Sequence, residues 1–464
     1  MHDFRRTAKG SASQRMVPAK IGGAGMMLDR TSRLLRRLCN HQLARSASWL
    51  AIGQGANFLL QAACFLLLAR LLGVTSYGIF AGVFALVNTV TPYSPLGSAM
   101  LFMRYVSMDP SMARLHWGNT VATIVAVSIV LCGVVSWAGS ILVGPSRIEM
   151  IVVLVIANCI MSQITLCASS VFLTLGRLRS SAANRLLSNL ARFIALVIMA
   201  VSLKRATAFQ WSLGVLFSST VAAAITLVWV RSTIGPMRFD LRSARGHFWE
   251  GIGFSVAGST ESVYNDFDKV MLSHYGMNQA AGIYTMAYRV VDFATTPLAA
   301  LVAATMPRLF VMSKEGFAAV AQRCAQLTRI AFAIGIGSAC FTLAASPWIL
   351  RAVGHGFADA VLAIRWLCWL PAIRAVHQMA GSALTATGRQ NYRTGAQATV
   401  GVANVILNFW LIPNHGWLGA AWATLASDGL LCVLNVGLVL LHTNRGRREA
   451  RSPGVVVVHE VEIA

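Results

Sequence analysis

Apolar residues gather into blocks of about 20 between residues 46 and 441, split by short breaks rich in Arg, Gly and Pro. Twenty helical residues rise about 30 Å, the thickness of bilayer hydrocarbon. The pattern predicts spans over 46–68, 79–103, 119–141, 148–171, 186–203, 209–230, 250–273, 280–306, 327–350, 361–386, 395–412 and 417–441. Ten-residue segments of alternating polarity, the mark of a membrane β-barrel, do not occur. The chain therefore reads as an all-α polytopic membrane protein of about 12 transmembrane helices. One pair of blocks breaks the pattern: residues 254–293 carry Glu261, Asp266, Asp268, Lys269, Arg289 and Asp292. Ionisable groups at membrane depth are costly, so they point to a water-filled working site.

Composition supports this class. The chain is 56% hydrophobic and 12% charged, against about 25% charged in soluble domains. A net charge of +23 raises the possibility of nucleic acid, but the basic residues sit where orientation requires them. The loops alternate, and the minority side holds Arg70, Arg147, Lys204, Arg205, Arg351 and Arg365 among 39 Lys and Arg in all. The positive-inside rule places both termini in the cytoplasm. The nine cysteines are scattered singly and read as small buried hydrophobes, with no metal or disulfide spacing.

The chain also repeats itself. Leu72-Gly73 through Tyr77-Gly78-Ile79-Phe80 leads into the second block, as Tyr275-Gly276 through Ala281-Gly282-Ile283-Tyr284 leads into the eighth. Leu175-Gly176-Arg177 ends the fourth block, as Thr387-Gly388-Arg389 ends the tenth. This predicts two pseudo-repeated six-helix bundles around a central cavity, the parallel-repeat plan of alternating-access transporters. The expected organisation is a disordered basic cytoplasmic tail (1–45), an N-terminal bundle (46–230), a cytoplasmic linker (231–249), a C-terminal bundle (250–441) and a cytoplasmic tail (442–464).

Ala69-Arg70-Leu71-Leu72-Gly73 with the following Tyr77-Gly78-Ile79-Phe80 resembles the first loop of Wzx-type polysaccharide flippases. The similarity continues in Asp268-Lys269-Val270-Met271-Leu272, Ala281-Gly282-Ile283-Tyr284, Ala287-Tyr288-Arg289, Thr387-Gly388-Arg389-Gln390 and the Ile412-Pro413 to Gly416-Trp417-Leu418-Gly419-Ala420-Ala421 turn. That family is the polysaccharide branch of the multidrug/oligosaccharidyl-lipid/polysaccharide exporter superfamily. The resemblance implies translocation of undecaprenyl-diphosphate-linked oligosaccharide across the bacterial inner membrane for surface polysaccharide (lipopolysaccharide or exopolysaccharide) synthesis, driven by an ion gradient. It also implies association with polysaccharide polymerase and chain-length proteins. The lipid II flippase branch, with fourteen helices, would leave two spans missing.

The polar residues within blocks suit such a cargo. Gln54, Asn57 and Gln61 fall within about 60° on one helix face, and Gln397, Asn404 and Asn408 within about 40°. These stripes are expected to line a cavity that hydrogen-bonds sugars; the plainer reading of any one of them is interhelical glue. Arg192, Arg289 and Arg374 are expected to supply the positive field for diphosphate, since a guanidinium donates two bonds at once. Internal pairing is the rival reading, Arg289 with Asp292 and Lys269 with Asp266. Asp292, Asp268, Glu261 and Asp428 are candidates for coupling to H⁺ or Na⁺. Pro92, Pro95, Pro297, Pro307 and Pro371 are expected to break or bend helices. No Walker A, GxSxG or loop-borne acidic pair appears, so neither an enzyme nor a cofactor is expected. A drug or cation antiporter of the same superfamily is the nearer alternative, and a membrane glycan polymerase or ligase the remoter one.

Overall fold

The computed structural model describes the backbone of residues 24–240 and 265–451, and side-chain surroundings over 57–240 and 265–444 apart from 349, 350 and 355. Glu261 and the side chain of Gln54 lie outside the described residues. The chain falls into two units, Met1–Ile52 and Gly53–Ala464, and the second holds everything below.

The described residues are helical, with no strand among them. In chain order the helices are α1 (Ala24–Val90), α2 (Ser98–Met108), α3 (Ala113–Leu142), α4 (Ile148–Val155), α5 (Gln163–Thr174), α6 (Leu178–Ser202), α7 (Ala208–Ile234), α8 (265–274), α9 (Asn278–Ala294), α10 (Thr296–Met312), α11 (Phe317–Val353), α12 (Ala358–Leu367), α13 (Leu370–Ala386) and α14 (Gln390–Arg451). Nine stretches among the described residues are long and apolar enough to cross a membrane. Two of them, Asn57–Met108 and Gln390–Asn444, each hold two predicted spans, joined at non-helical Gly73 (φ 68°) and Gly416 (φ 55°). The predicted seventh span falls largely on residues outside the description. The tail expected to be disordered over 1–45 falls partly outside the described residues, and α1 already begins at Ala24.

The internal repeat is visible in how helices end. After α5, Arg177 N donates to Phe172 O at 2.8 Å and Gly176 N to Leu173 O at 3.0 Å. After α13, Arg389 N donates to Leu384 O at 2.8 Å and Gly388 N to Thr385 O at 3.2 Å. This is one Schellman cap used twice, with glycine at the left-handed position (φ 71° and 73°) that a side chain would strain.

A second pair of glycines brings the halves together. A Cβ on Gly78 would lie 1.8 Å from Asn278 O, and one on Gly282 2.1 Å from Val74 O. Val74–Gly78 and Asn278–Gly282 are matching positions of the repeat, so the two contacts are one contact seen from both sides. Around it Leu72, Tyr77, Met271 and Tyr284 share a single buried apolar core.

Two breaks differ in detail from expectation. Pro371 opens α13 rather than bending a continuous span, because the chain has already left the helix at Cys368–Trp369. Within the fourth span, Ile156–Ser162 is a π-helix. Such a turn frees backbone carbonyls, and Cys159 O accepts from Ser128 Oγ at 3.0 Å and from Ser94 Oγ.

Candidate functional site

A cavity of about 380 Å³ lies among α1, α6, α7, α8 and α9. Its polar wall is Gln61, Asn88, Asn189, Arg192, Asp266, Lys269 and Arg289, and its apolar wall includes Phe65, Phe84, Trp211 and Phe293. A smaller polar hollow of about 290 Å³ adjoins it and shares Asn189 and Arg192. Asn57 lines this second hollow and accepts from Asn189 Nδ2. Helical spacing explains the wall: Asn57, Gln61 and Cys64 succeed one another along one face of α1, as do Arg185, Asn189 and Arg192 along α6.

The basic residues divide sharply. Lys269 Nζ sits 2.6 Å from Asp266 Oδ1 and also donates to Asn265 O at 2.6 Å. Asn88 Nδ2, from the first half, donates to Asp266 Oδ2 at 2.6 Å. Arg374 Nε donates to Asp428 Oδ2 at 3.1 Å, and its Nη1 stands 3.5 Å from Asp292 Oδ1. By contrast, no hydrogen bond or ion pair joins Arg192 or Arg289 to another described residue, and Arg192 Nε is buried without a partner among them. Both guanidiniums face the larger cavity. Arginine keeps its proton under all ordinary conditions, so half-buried Arg192 and exposed Arg289 each bring a standing positive charge to the cavity.

Several expected cavity residues stand elsewhere. Arg374 is spent on carboxylates, and Asp292 pairs with it rather than with Arg289, although Arg289 is the neighbour on the same helix face. Asn404 and Asn408 are fully buried: Asn404 Nδ2 donates to Ser427 Oγ at 3.0 Å, and Asn408 Nδ2 to Asn404 Oδ1 at 2.9 Å. They tie the two limbs of α14 together, the interhelical role weighed above. Gln397 is half-buried and outside both hollows. Asp268 is 1% exposed and accepts from Tyr284 Oη, from Thr424 Oγ1 at 3.3 Å and from Lys269 N at 2.7 Å, so it packs α8 against α9 and α14 instead of facing water.

Sequence reading missed three contributors. Tyr288 Oη accepts from Arg374 Nη2 at 2.7 Å and donates to Asn265 Oδ1 at 3.0 Å, linking the ion pair to the cavity floor. Asn88 carries the cross-half bond to Asp266. Arg147, from a connection predicted to face the outside, donates to Ser273 Oγ at 2.7 Å and Asn278 Oδ1 at 3.1 Å, latching the end where the glycine pair meets. An isolated Tyr, Asn or loop Arg has no periodicity to betray it. A further hollow of about 830 Å³ opens among the α2–α3 turn, the α5–α6 turn and the end of α7, and carries Arg114, Arg177 and Arg238. Among the described residues no cluster of three His, Cys, Asp or Glu side chains is placed to hold a metal.

Two like halves of membrane-spanning helices around a polar, cationic hollow define a multi-pass membrane transporter. The chain belongs to the polysaccharide biosynthesis protein family, which matches residues 43–313. No curated protein matches it in sequence. Solved structures share the fold. An inward-facing multidrug resistance MATE family transporter of the MOP superfamily has a TM-score of 0.67 at 13% identity, covering 86% of this chain and 96% of its own. The lipid II flippase MurJ, in an inward closed conformation, has a TM-score of 0.65 at 13% identity, covering 84% and 87%. A MOP superfamily transporter from Pyrococcus furiosus, described by the reverse polarity of its binding pocket, has a TM-score of 0.59 at 14% identity, covering 88% and 95%.

Proposed function

We propose that this protein moves an anionic, lipid-linked oligosaccharide, of the undecaprenyl-diphosphate class, from the cytoplasmic to the outer leaflet of a bacterial inner membrane. The observation that carries this reading is the pair Arg192 and Arg289, two guanidiniums without ion partners among the described residues, aimed into one cavity. Arg192 is half-buried and Arg289 exposed at the cavity, so an incoming anion could pair with both, and a diphosphate accepts a guanidinium's forked donors well. Gln61, Asn88 and Asn189 offer hydrogen bonds to sugar hydroxyls, while Phe65, Phe84 and Trp211 offer flat faces to the C–H sides of sugar rings. The lipid tail would stay in the bilayer while the head group crosses in the hollow, avoiding a transfer through hydrocarbon that costs many kcal/mol.

The halves would exchange access by rocking about the glycine-lined contact, with both termini in the cytoplasm as the loop charges favour. The translocated unit would then pass to a polysaccharide polymerase and its chain-length partners. Deleting the gene tests the reading: lipid-linked glycan should accumulate in the inner leaflet, and plasmid-borne wild type should clear it while Arg192→Ala with Arg289→Ala should not. Loss of cationic-dye efflux with normal glycan export would instead identify a drug antiporter.

A further inference from the structure

The second half holds a buried polar cluster beside the cavity that cargo binding does not use. His377 on α13 is 6% exposed, and Asp428 and Asn435 on α14 are each 1% exposed. His377 Nε2 stands 3.7 Å from Asp428 Oδ1. Both atoms, and Asn435 Oδ1, lack a hydrogen-bond partner among the described residues. Asn435 is held at the spot by its own donation to His377 O at 3.3 Å. Two oxygens there wait for a donor.

Arg374 is one cation facing two carboxylates, Asp428 and Asp292. Arg393, from the start of α14, feels the His377 ring but donates its Nη1 to Thr385 Oγ1 at 3.0 Å. α10 and α11 pack on this part of α13 through Leu298, Leu327 and Ala331. From α9, Tyr288 and Asp292 are the polar and charged side chains that reach it, both by way of Arg374.

We propose that His377 and Asp428 form a proton-binding site. A hydronium ion of the aqueous phase gives up one O–H proton and leaves water, the proton bonds to His377 Nε2, and Nε2 then donates to Asp428 Oδ1. That proton supplies the donor that Asp428 Oδ1 lacks.

The site is wired to the cavity. Asp428 accepts from Arg374, Arg374 donates to Tyr288 Oη, and Tyr288 donates to Asn265. Asn265 O accepts from Lys269, whose partner Asp266 lines the cavity and accepts from Asn88 of the first half. Proton occupancy at one end can thus reposition groups where cargo sits. This makes the coupling ion of the proposed transport a proton; the coupling rests on that transport reading, while the proton site stands without it.

The test needs no cargo. Full-length protein carrying ¹⁵N-histidine is placed in phospholipid nanodiscs, and the His377 ring signal is assigned among the ten histidines by its loss in His377→Gln. Between pH 7 and pH 3 the wild-type signal should pass from neutral imidazole to imidazolium. Asp428→Asn should cut the protonated fraction about fivefold at the wild-type midpoint, a shift of about one pH unit. A His377 ring that stays neutral throughout, or an unchanged titration in folded Asp428→Asn, overturns the proposal. Should Asp428→Asn fail to fold, Asn435→Leu serves instead, with a reduced protonated fraction expected and no change overturning. Vesicles containing undecaprenyl-diphosphate-linked N-acetylglucosamine answer the separate question: no movement of this probe by wild type under a pH gradient, with His377 titrating normally, would defeat the transport reading and leave the proton site in place.

Discussion

Whether a cation has a partner separates the working arginines from the structural one. Arg192 and Arg289 have no ion partner among the described residues, so removing either charge leaves no carboxylate stranded beside it. Arg192→Ala and Arg289→Ala should each abolish glycan export while shifting thermal unfolding little, and the Lys versions should keep partial export; a large drop in melting temperature would mark them as structural. Arg374 differs, because Asp428 beside it is 1% exposed. Arg374→Ala leaves that carboxylate uncompensated, a loss of about 3–5 kcal/mol. Thermal denaturation in detergent should show a clear fall in melting temperature, recovered in large part by adding Asp428→Asn; no recovery would mean that Asp428 is not the partner that matters. The four basic residues Arg192, Lys269, Arg289 and Arg374 could be named from sequence, but not sorted. Asp292 lies three residues from Arg289 and so shares its helix face, yet it pairs with Arg374, brought in by a different helix.

At the level of helices, glycine marks both the ends and the crossing points. The Gly176 and Gly388 caps and the Gly78 and Gly282 contacts were readable as repeated motifs, because a repeat writes the same local need twice. The use of each was hidden: a cap is local geometry, whereas Gly78 is glycine because a distant carbonyl lies against it. Gly78→Leu and Gly282→Leu must each displace backbone of the opposite half, so each should stop export without preventing membrane insertion. Export by a correctly inserted Gly78→Leu protein at the wild-type rate would exclude this contact from the transport cycle. The polar stripes were harder. The α1 stripe meets the hollows through Asn57 and Gln61, while Asn404 and Asn408 are consumed within α14. Spacing identifies a shared face but not what that face meets.

For the molecule as a whole, the latch from Arg147 to Ser273 and Asn278 closes the end where the glycine pair meets. Arg147→Ala should loosen that end. With a cysteine placed at Gln61 in an otherwise cysteine-free protein, a membrane-impermeant maleimide added outside should then react faster; an unchanged rate would show that the latch does not hold the closed state. The internal repeat and the all-helical membrane class followed from sequence alone. A bilayer imposes its demands on each short segment separately, through about 20 apolar residues and fully bonded helical backbone. Which charges pair and which stay open toward the cavity was settled only by tertiary structure. Pairing joins Arg374 to Asp292 and Asp428 across three helices, and no local pattern encodes which helices will meet.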